Sequence, residues 1–205
     1  MITLMVHRPE APAGRATRFG GLPGVPEGFT WPACASCEGP MQFLGQLQPG
    51  EGEPLLLLFM CQNDPGLCDE WDAESGGNAV VAVEPAVPLR PAMPPGGRDD
   101  LLRPAHGSDA VAVEGDTYDD ARAAWSAAAS GRTPRQVLGQ LGGEPAWLQG
   151  DETPDCGACG RAMAFVAQLE EGPDHRTSMN FGGGGCAYVY RCGCSAGQAR
   201  LLWQS

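Results

Sequence analysis

The stretch "PACASCEGPMQFLGQL", Pro32–Leu47, is written a second time as "PDCGACGRAMAFVAQL", Pro154–Leu169, 122 residues further on. Without a gap, Gly20–Gly21 and Pro23 fall on Gly142–Gly143 and Pro145. Pro32 falls on Pro154, and Cys34 and Cys37 on Cys156 and Cys159. Met41, Phe43, Gln46 and Leu47 fall on Met163, Phe165, Gln168 and Leu169. A match of Gly-Gly-x-Pro, Cys-x-x-Cys and Met-x-Phe-x-x-Gln-Leu at one offset reads as an internal duplication. Two similar units packed with pseudo-two-fold symmetry are expected.

Each unit runs in the same order: a Gly-Gly-x-Pro turn, a loop, Cys-x-x-Cys, then a strand, "MQFLGQL" or "MAFVAQL". Strict alternation predicts that Met, Phe and Leu share one face, with Gln46 or Gln168 on the other. A turn-rich loop leads to a second strand, "LLLLFMC" or "CAYVYRC", and short loops between strands favour antiparallel hairpins. Between the units, residues 84–107 are Pro-rich and read as an irregular connector. "AVAVE" reads as a strand. Residues 117–130 form the best helix pattern, with Thr117 as cap and Gly131 as stop. "TPRQVLGQL" starts like a second short helix, Thr133 capping and Pro134 in its first turn. The expected fold is a mixed, β-rich α+β protein with two antiparallel-sheet units, few helices and two zinc-ribbon-like knuckles. The expected division is 1–107, the first unit with its Pro-rich connector, and 108–205, the helical connector with the second unit, in one globular body.

Eight of the nine cysteines follow from the hairpins. Cys34 and Cys37 precede the first strand of their hairpin; Cys61 ends the second, and Cys68 comes shortly after. Cys156, Cys159, Cys192 and Cys194 repeat the scheme. In an antiparallel hairpin the start of one strand adjoins the end of the next, so each set of four sulfurs is carried to one end. That is the logic of a zinc ribbon, and two structural zinc ions are expected. Cys186 starts its strand roughly 20 Å from Cys192 at ~3.3 Å per residue, and reads as a packing residue. His7, His106 and His175 are poorly placed as ligands. A redox pair is the competing reading of a lone Cys-x-x-Cys, but the parallel βαβ context of a thioredoxin is missing. Four protein sulfurs leave a metal no open position for water, so catalysis at these centres is not expected. Each tetrathiolate zinc carries two negative charges, taking the chain to about −16, and Arg161 and Arg191 are candidates to offset this locally.

The net charge is −12, and the 13 basic residues are all arginine. A duplex-binding protein needs a basic face for the phosphates, and no arginine cluster supplies one. An acidic surface suits a basic protein partner or solubility alone. No apolar run approaches the ~20 residues of a membrane helix. The N-terminal stretch does not read as a signal peptide, so a soluble, cytoplasmic protein is expected, with no nucleic-acid or membrane partner. No Walker loop, Rossmann fingerprint, nucleophile elbow or zincin motif occurs, and an enzyme is not expected. The acidic stretch "DPGLCDEWDAESGGN" reads as a solvated loop or as a dock for a basic peptide, through Asp69, Glu70 and Asp72. Gln46 and Gln168, within apolar strands, need partners for their amides, either the protein's own backbone or a bound peptide's. Trp147 is a further candidate partner contact.

"GGLPGVPEGFTWP", "PMQFLGQL", "WDAESGGNAVV", "LGGEPAWLQ", "CGACGRAMAFVAQL", "NFGGGGCAYVYRCGC" and "ARLLWQS" together resemble the bacterial YwqG-like family. They also resemble the wider superfamily of eukaryotic programmed cell death protein 2. The resemblance covers most of the chain outside the N-terminal strand and the Pro-rich connector. It implies a duplicated β-rich fold, although many YwqG-like proteins lack the cysteines. For the eukaryotic relatives it implies a chaperone for a small-subunit ribosomal protein; for some bacterial ones, immunity to a toxin. The expected function is therefore a zinc-stabilised, non-enzymatic protein-binding module, chaperone-like toward a basic protein. An immunity protein, or a small-molecule binder or enzyme, is the alternative.

Overall fold

The computed structural model describes Met1–Ser205. Twelve strands and one α-helix succeed one another along the chain. The first seven strands are β1 (Ile2–Arg8), β2 (Arg18–Phe19), β3 (Gly24–Val25), β4 (Gln42–Leu47), β5 (Leu55–Met60), β6 (Asn78–Val83) and β7 (Arg90–Pro91). After β8 (His106–Val113) and α1 (Tyr118–Ala127) come β9 (Val137–Leu141), β10 (Ala164–Glu170), β11 (Cys186–Arg191) and β12 (Ala199–Gln204). Ten strands form one sheet in the order β12-β11-β10-β9-β1-β8-β2-β4-β5-β6, while β3 and β7 pair separately. Every pairing is antiparallel. The sheet curls toward closure: Trp203 N–H at one edge donates to Trp71 O beside the other (3.1 Å). Curling reduces the exposed edge that an open sheet would present.

Backbone contacts recur at the 122-residue offset. Gly20 N–H donates to Leu44 O as Gly142 N–H does to Val166 O, and Met41 N–H to Pro32 O as Met163 N–H does to Pro154 O. Arg18 faces Gln46 across β2 and β4 as Gln140 faces Gln168 across β9 and β10. The division expected between 107 and 108 falls inside β8, and one sheet takes strands from both sides of it.

Alternation also needs correction. A bulge breaks the register between Phe43 and Gly45, and another between Phe165 and Ala167. Each bulge inserts one unpaired residue and reverses the facing of the residues beyond it. Met41 and Phe43 pack with Leu57 and Phe59 in one core, while Leu44 and Leu47 pack with Leu56 and Leu58 in another. Gln46 pairs with Leu57, so it shares the face of Phe43, not the opposite one. The second unit repeats this, with Gln168 opposite Tyr188. The inner face of the curl holds the largest core, with Leu44, Leu56 and Leu58 from one half and Leu169, Val189 and Leu201 from the other. Because β5 is covered on both faces, its whole run "LLLLFM" is buried.

Helix α1 is shorter than its pattern, ending at Ala127 with Ala128 as cap. Thr117 accepts from Asp120 N–H at its start, and Asp119 and Asp120 complement the helix dipole. Tyr118, Ala121 and Trp125 form one face, packed with Leu4 and Val137. The second short helix is a correction. Thr133 and Gln136 do form a capping box, but they start only one 3-10 turn, and the chain then becomes β9. Gly139 has φ +132°, a conformation outside the helical region, and pairing with β1 and β10 decides the strand.

Candidate metal centres

Both cysteine turns are built alike. In the first, Cys34 N–H donates to Gly39 O (2.9 Å) and Glu38 N–H to Cys34 O (2.9 Å). In the second, Cys156 N–H donates to Arg161 O (2.8 Å) and Gly160 N–H to Cys156 O (2.7 Å). The residue after each Cys-x-x-Cys adopts a left-handed conformation, φ +56° at Glu38 and +66° at Gly160. Glycine takes that conformation without cost, and Glu38 does not. The turns set Cys34 and Cys37 against the end of β5, and Cys156 and Cys159 against the end of β11.

Two groups result, Cys34, Cys37, Cys61 and Cys68, and Cys156, Cys159, Cys192 and Cys194. Within each, all four sulfurs lie within 4.8 Å of one another. Cys37 Sγ is 3.7 Å from Cys61 Sγ, Cys156 Sγ 3.7 Å from Cys194 Sγ, and Cys159 Sγ 3.6 Å from Cys192 Sγ. A disulfide needs ~2.05 Å, and all nine cysteines are free thiols. A tetrahedral Zn–S length of ~2.3 Å places its sulfurs ~3.8 Å apart. The observed spacing has that size. Both groups therefore fit structural metal sites, and the donor set is wholly soft thiolate.

Their surroundings differ. Cys34, Cys61 and Cys68 are buried with Phe43 and Phe59, whereas Cys159 is exposed. Burial pushes the Cys61 and Cys68 thiols up. The Gly39 amide holds Cys37 below its ordinary value, and Arg161 holds Cys159 down at about 6. A metal bound at either set would displace the protons still held by its thiols. Arg161 lies beside Cys159, whereas Arg191 pairs with Glu53. Cys186 lies outside both groups, buried beside Glu170 in the β10–β11 pairing.

Sequence reasoning missed the amides around the sulfurs. Asn63 Nδ2 lies 3.3 Å from Cys61 Sγ and 3.5 Å from Cys37 Sγ. Gln198 Oε1 lies 3.3 Å from Cys156 Sγ, and turning that amide would offer its NH2 to a thiolate. Such donors stabilise charge on sulfur and orient the ligands. The only signal was position, two residues beyond Cys61 and four beyond Cys194.

The partner-contact candidates separate. Gln46 is fully buried, and its Nε2 donates to Gly14 O (2.9 Å) and Ala16 O (2.8 Å). Gln168, also buried, accepts from Ala146 N–H (2.9 Å). Both amides clasp the protein's own backbone, so neither is a surface contact. Glu70 is buried too, holding Gly66 N–H at 2.7 Å, because Gly77 packs against its backbone. Asp69 and Asp72 are exposed; Asp72 ties down the N–H groups of Glu74 and Ser75. Trp147 is half-buried, 4.4 Å from the Tyr188 ring between centroids. No helix is long and apolar enough to cross a membrane. No protein-family model matches the chain, and no curated protein sequence matches it.

Proposed function

We propose that this chain is a zinc-stabilised, non-enzymatic protein-binding module that captures a basic segment of another protein, as a chaperone for a ribosomal-type protein would. The carrying observation is how the charges are disposed. Of 13 arginines, Arg8, Arg98, Arg122 and Arg191 are in ion pairs with the chain's own carboxylates, and Arg15 and Arg18 bind backbone carbonyls. The carboxylates number 25, and Asp64, Asp69, Asp72 and Glu74 stand exposed around the exposed Leu67 and Trp71. An acidic loop interleaved with apolar side chains suits a basic, partly apolar segment. Metal centres closed by four protein thiolates favour a structural role for zinc. The resemblance to the YwqG-like and programmed cell death protein 2 families points the same way.

Affinity capture with the tagged, metal-loaded chain tests this, with washes at low and high salt. One stoichiometric basic partner, weakened at high salt, is expected. A toxin in its place turns the reading to immunity. No stoichiometric partner at either salt refutes both.

A further inference from the structure

The two units share a backbone plan but differ where each packs against its second hairpin strand. In the first unit Phe29 stacks on Phe59, with centroids 5.9 Å apart at 27°. Trp31 meets the same ring edge-on at 5.4 Å and donates its Nε1–H to Met41 O at 2.8 Å. At the 122-residue offset Phe29 becomes Asp151 and Trp31 becomes Thr153. Tyr190 faces Phe165 across the hairpin as Phe59 faces Phe43. Where the first unit is plugged by two aromatic side chains, the second holds a cleft of about 530 Å³, lined by Glu144, Trp147, Asp151, Thr153, Phe165 and Tyr190 among others.

The chemistry of this cleft is specific. Its wall is aromatic: Trp147 stacks on Tyr190 at 6.1 Å and 15°, and Phe165 meets Tyr190 edge-on at 5.7 Å. Its carboxylates, Glu144 and Asp151, are in no ion pair. Asp151 Oδ1 is fixed by Thr153 N–H (2.9 Å) and Thr153 Oγ1 (2.7 Å), which leaves its second oxygen free. These bonds hold the Asp151 carboxyl below its ordinary range. Tyr190 is 1% exposed, so it gives its ring to the wall while its hydroxyl stays out of solvent reach beside Thr153.

Aromatic faces beside unpaired carboxylates attract a cation and repel an anion. A planar guanidinium meets both features, since it stacks on an indole and forks to carboxylates. We propose that this cleft is the anchor pocket for an arginine side chain of a partner segment, a reading that rests on the protein-binding function above. The first unit, with Phe29 and Trp31 in place, takes no such side chain there.

The test uses the zinc-loaded chain and a short blocked glycine peptide carrying one central arginine, with its citrulline counterpart as the neutral control. The indole resonance of Trp147, assigned with Trp147→Phe, should shift saturably with the arginine peptide and not with citrulline. Glu144→Gln with Asp151→Asn should weaken binding at least about tenfold. Asp151→Phe with Thr153→Trp, which rebuilds the plug, should remove it. Melting temperature and two bound metals per chain check that each variant is folded. Equal binding of citrulline, unchanged affinity in a folded double variant, or no saturable shift overturns the proposal. Partner capture with the plugged variant separates the two claims. A basic partner still bound equally well removes the anchor and leaves the protein-binding reading standing. Arginine binding in the cleft with no protein partner keeps the cleft and removes that reading.

Discussion

A Cys34→Ser substitution leaves three thiolates at the first centre and puts a poor ligand in a buried corner, beside Phe43 and Phe59. Apparent binding of ~10–16 kcal/mol per structural zinc becomes, by mass action at ~1 µM free zinc, ~2–8 kcal/mol of folding stability. A domain of this size is stable by only ~5–15 kcal/mol, so the substitution should remove a large share of it. The assay is urea unfolding followed by tryptophan fluorescence at buffered free zinc, with metal per chain counted on the same samples. Zinc should fall from two per chain to one, and the unfolding midpoint should fall with it. Cys186→Ser is the control, because Cys186 is equally buried but outside both sulfur groups. It should keep both metals. A Cys34→Ser chain with two metals and an unchanged midpoint, or a Cys186→Ser chain that loses one, would refute the ligand assignment.

Gln46→Ala should cost ~2–3 kcal/mol of stability through two lost hydrogen bonds and a small cavity, with partner affinity per folded molecule unchanged; urea unfolding and a binding titration check both halves. Gly139→Ala should cost ~3 kcal/mol or more, because a Cβ there would lie 1.8 Å from Gln168 O at φ +132°, and a thermal melt would show it. His7 and His106 have ring centroids 5.1 Å apart, and burial holds both below the ordinary imidazole value of 6.5. A depressed folded value means their contribution is complete above ~6.5 and is lost as pH falls through the folded values. Melts from about pH 7 to about pH 5 should show falling midpoints, with a shallower fall in His106→Gln.

The two four-cysteine groups are legible because the repeat and the hairpin geometry place cysteines by chain order alone, without any distance. Cys186 was excluded by strand length, and the structure leaves it outside. The face of Gln46 was not legible, because the bulges after Phe43 and Phe165 leave no residue signal and reverse alternation beyond them. Thr133 and Pro134 carry real helix-start chemistry, but the long-range pairing of β9 with β1 and β10 overrides it after one turn. Glu70 reads as a surface acid in an acidic stretch; only the fold of that loop onto Gly77 buries it. The acidic cleft was hidden for a different reason. Asp151 and Thr153 look ordinary until Phe29 and Trp31 are seen filling the corresponding place.

X-ray absorption at the zinc edge, on protein purified without added metal or chelator, would show whether two tetrathiolate centres hold this fold together. Two zinc ions per chain are expected, each with a shell of four sulfurs at ~2.3 Å. Nitrogen or oxygen scatterers at ~2.0 Å in place of sulfur, or a metal-free protein of equal stability, would contradict it.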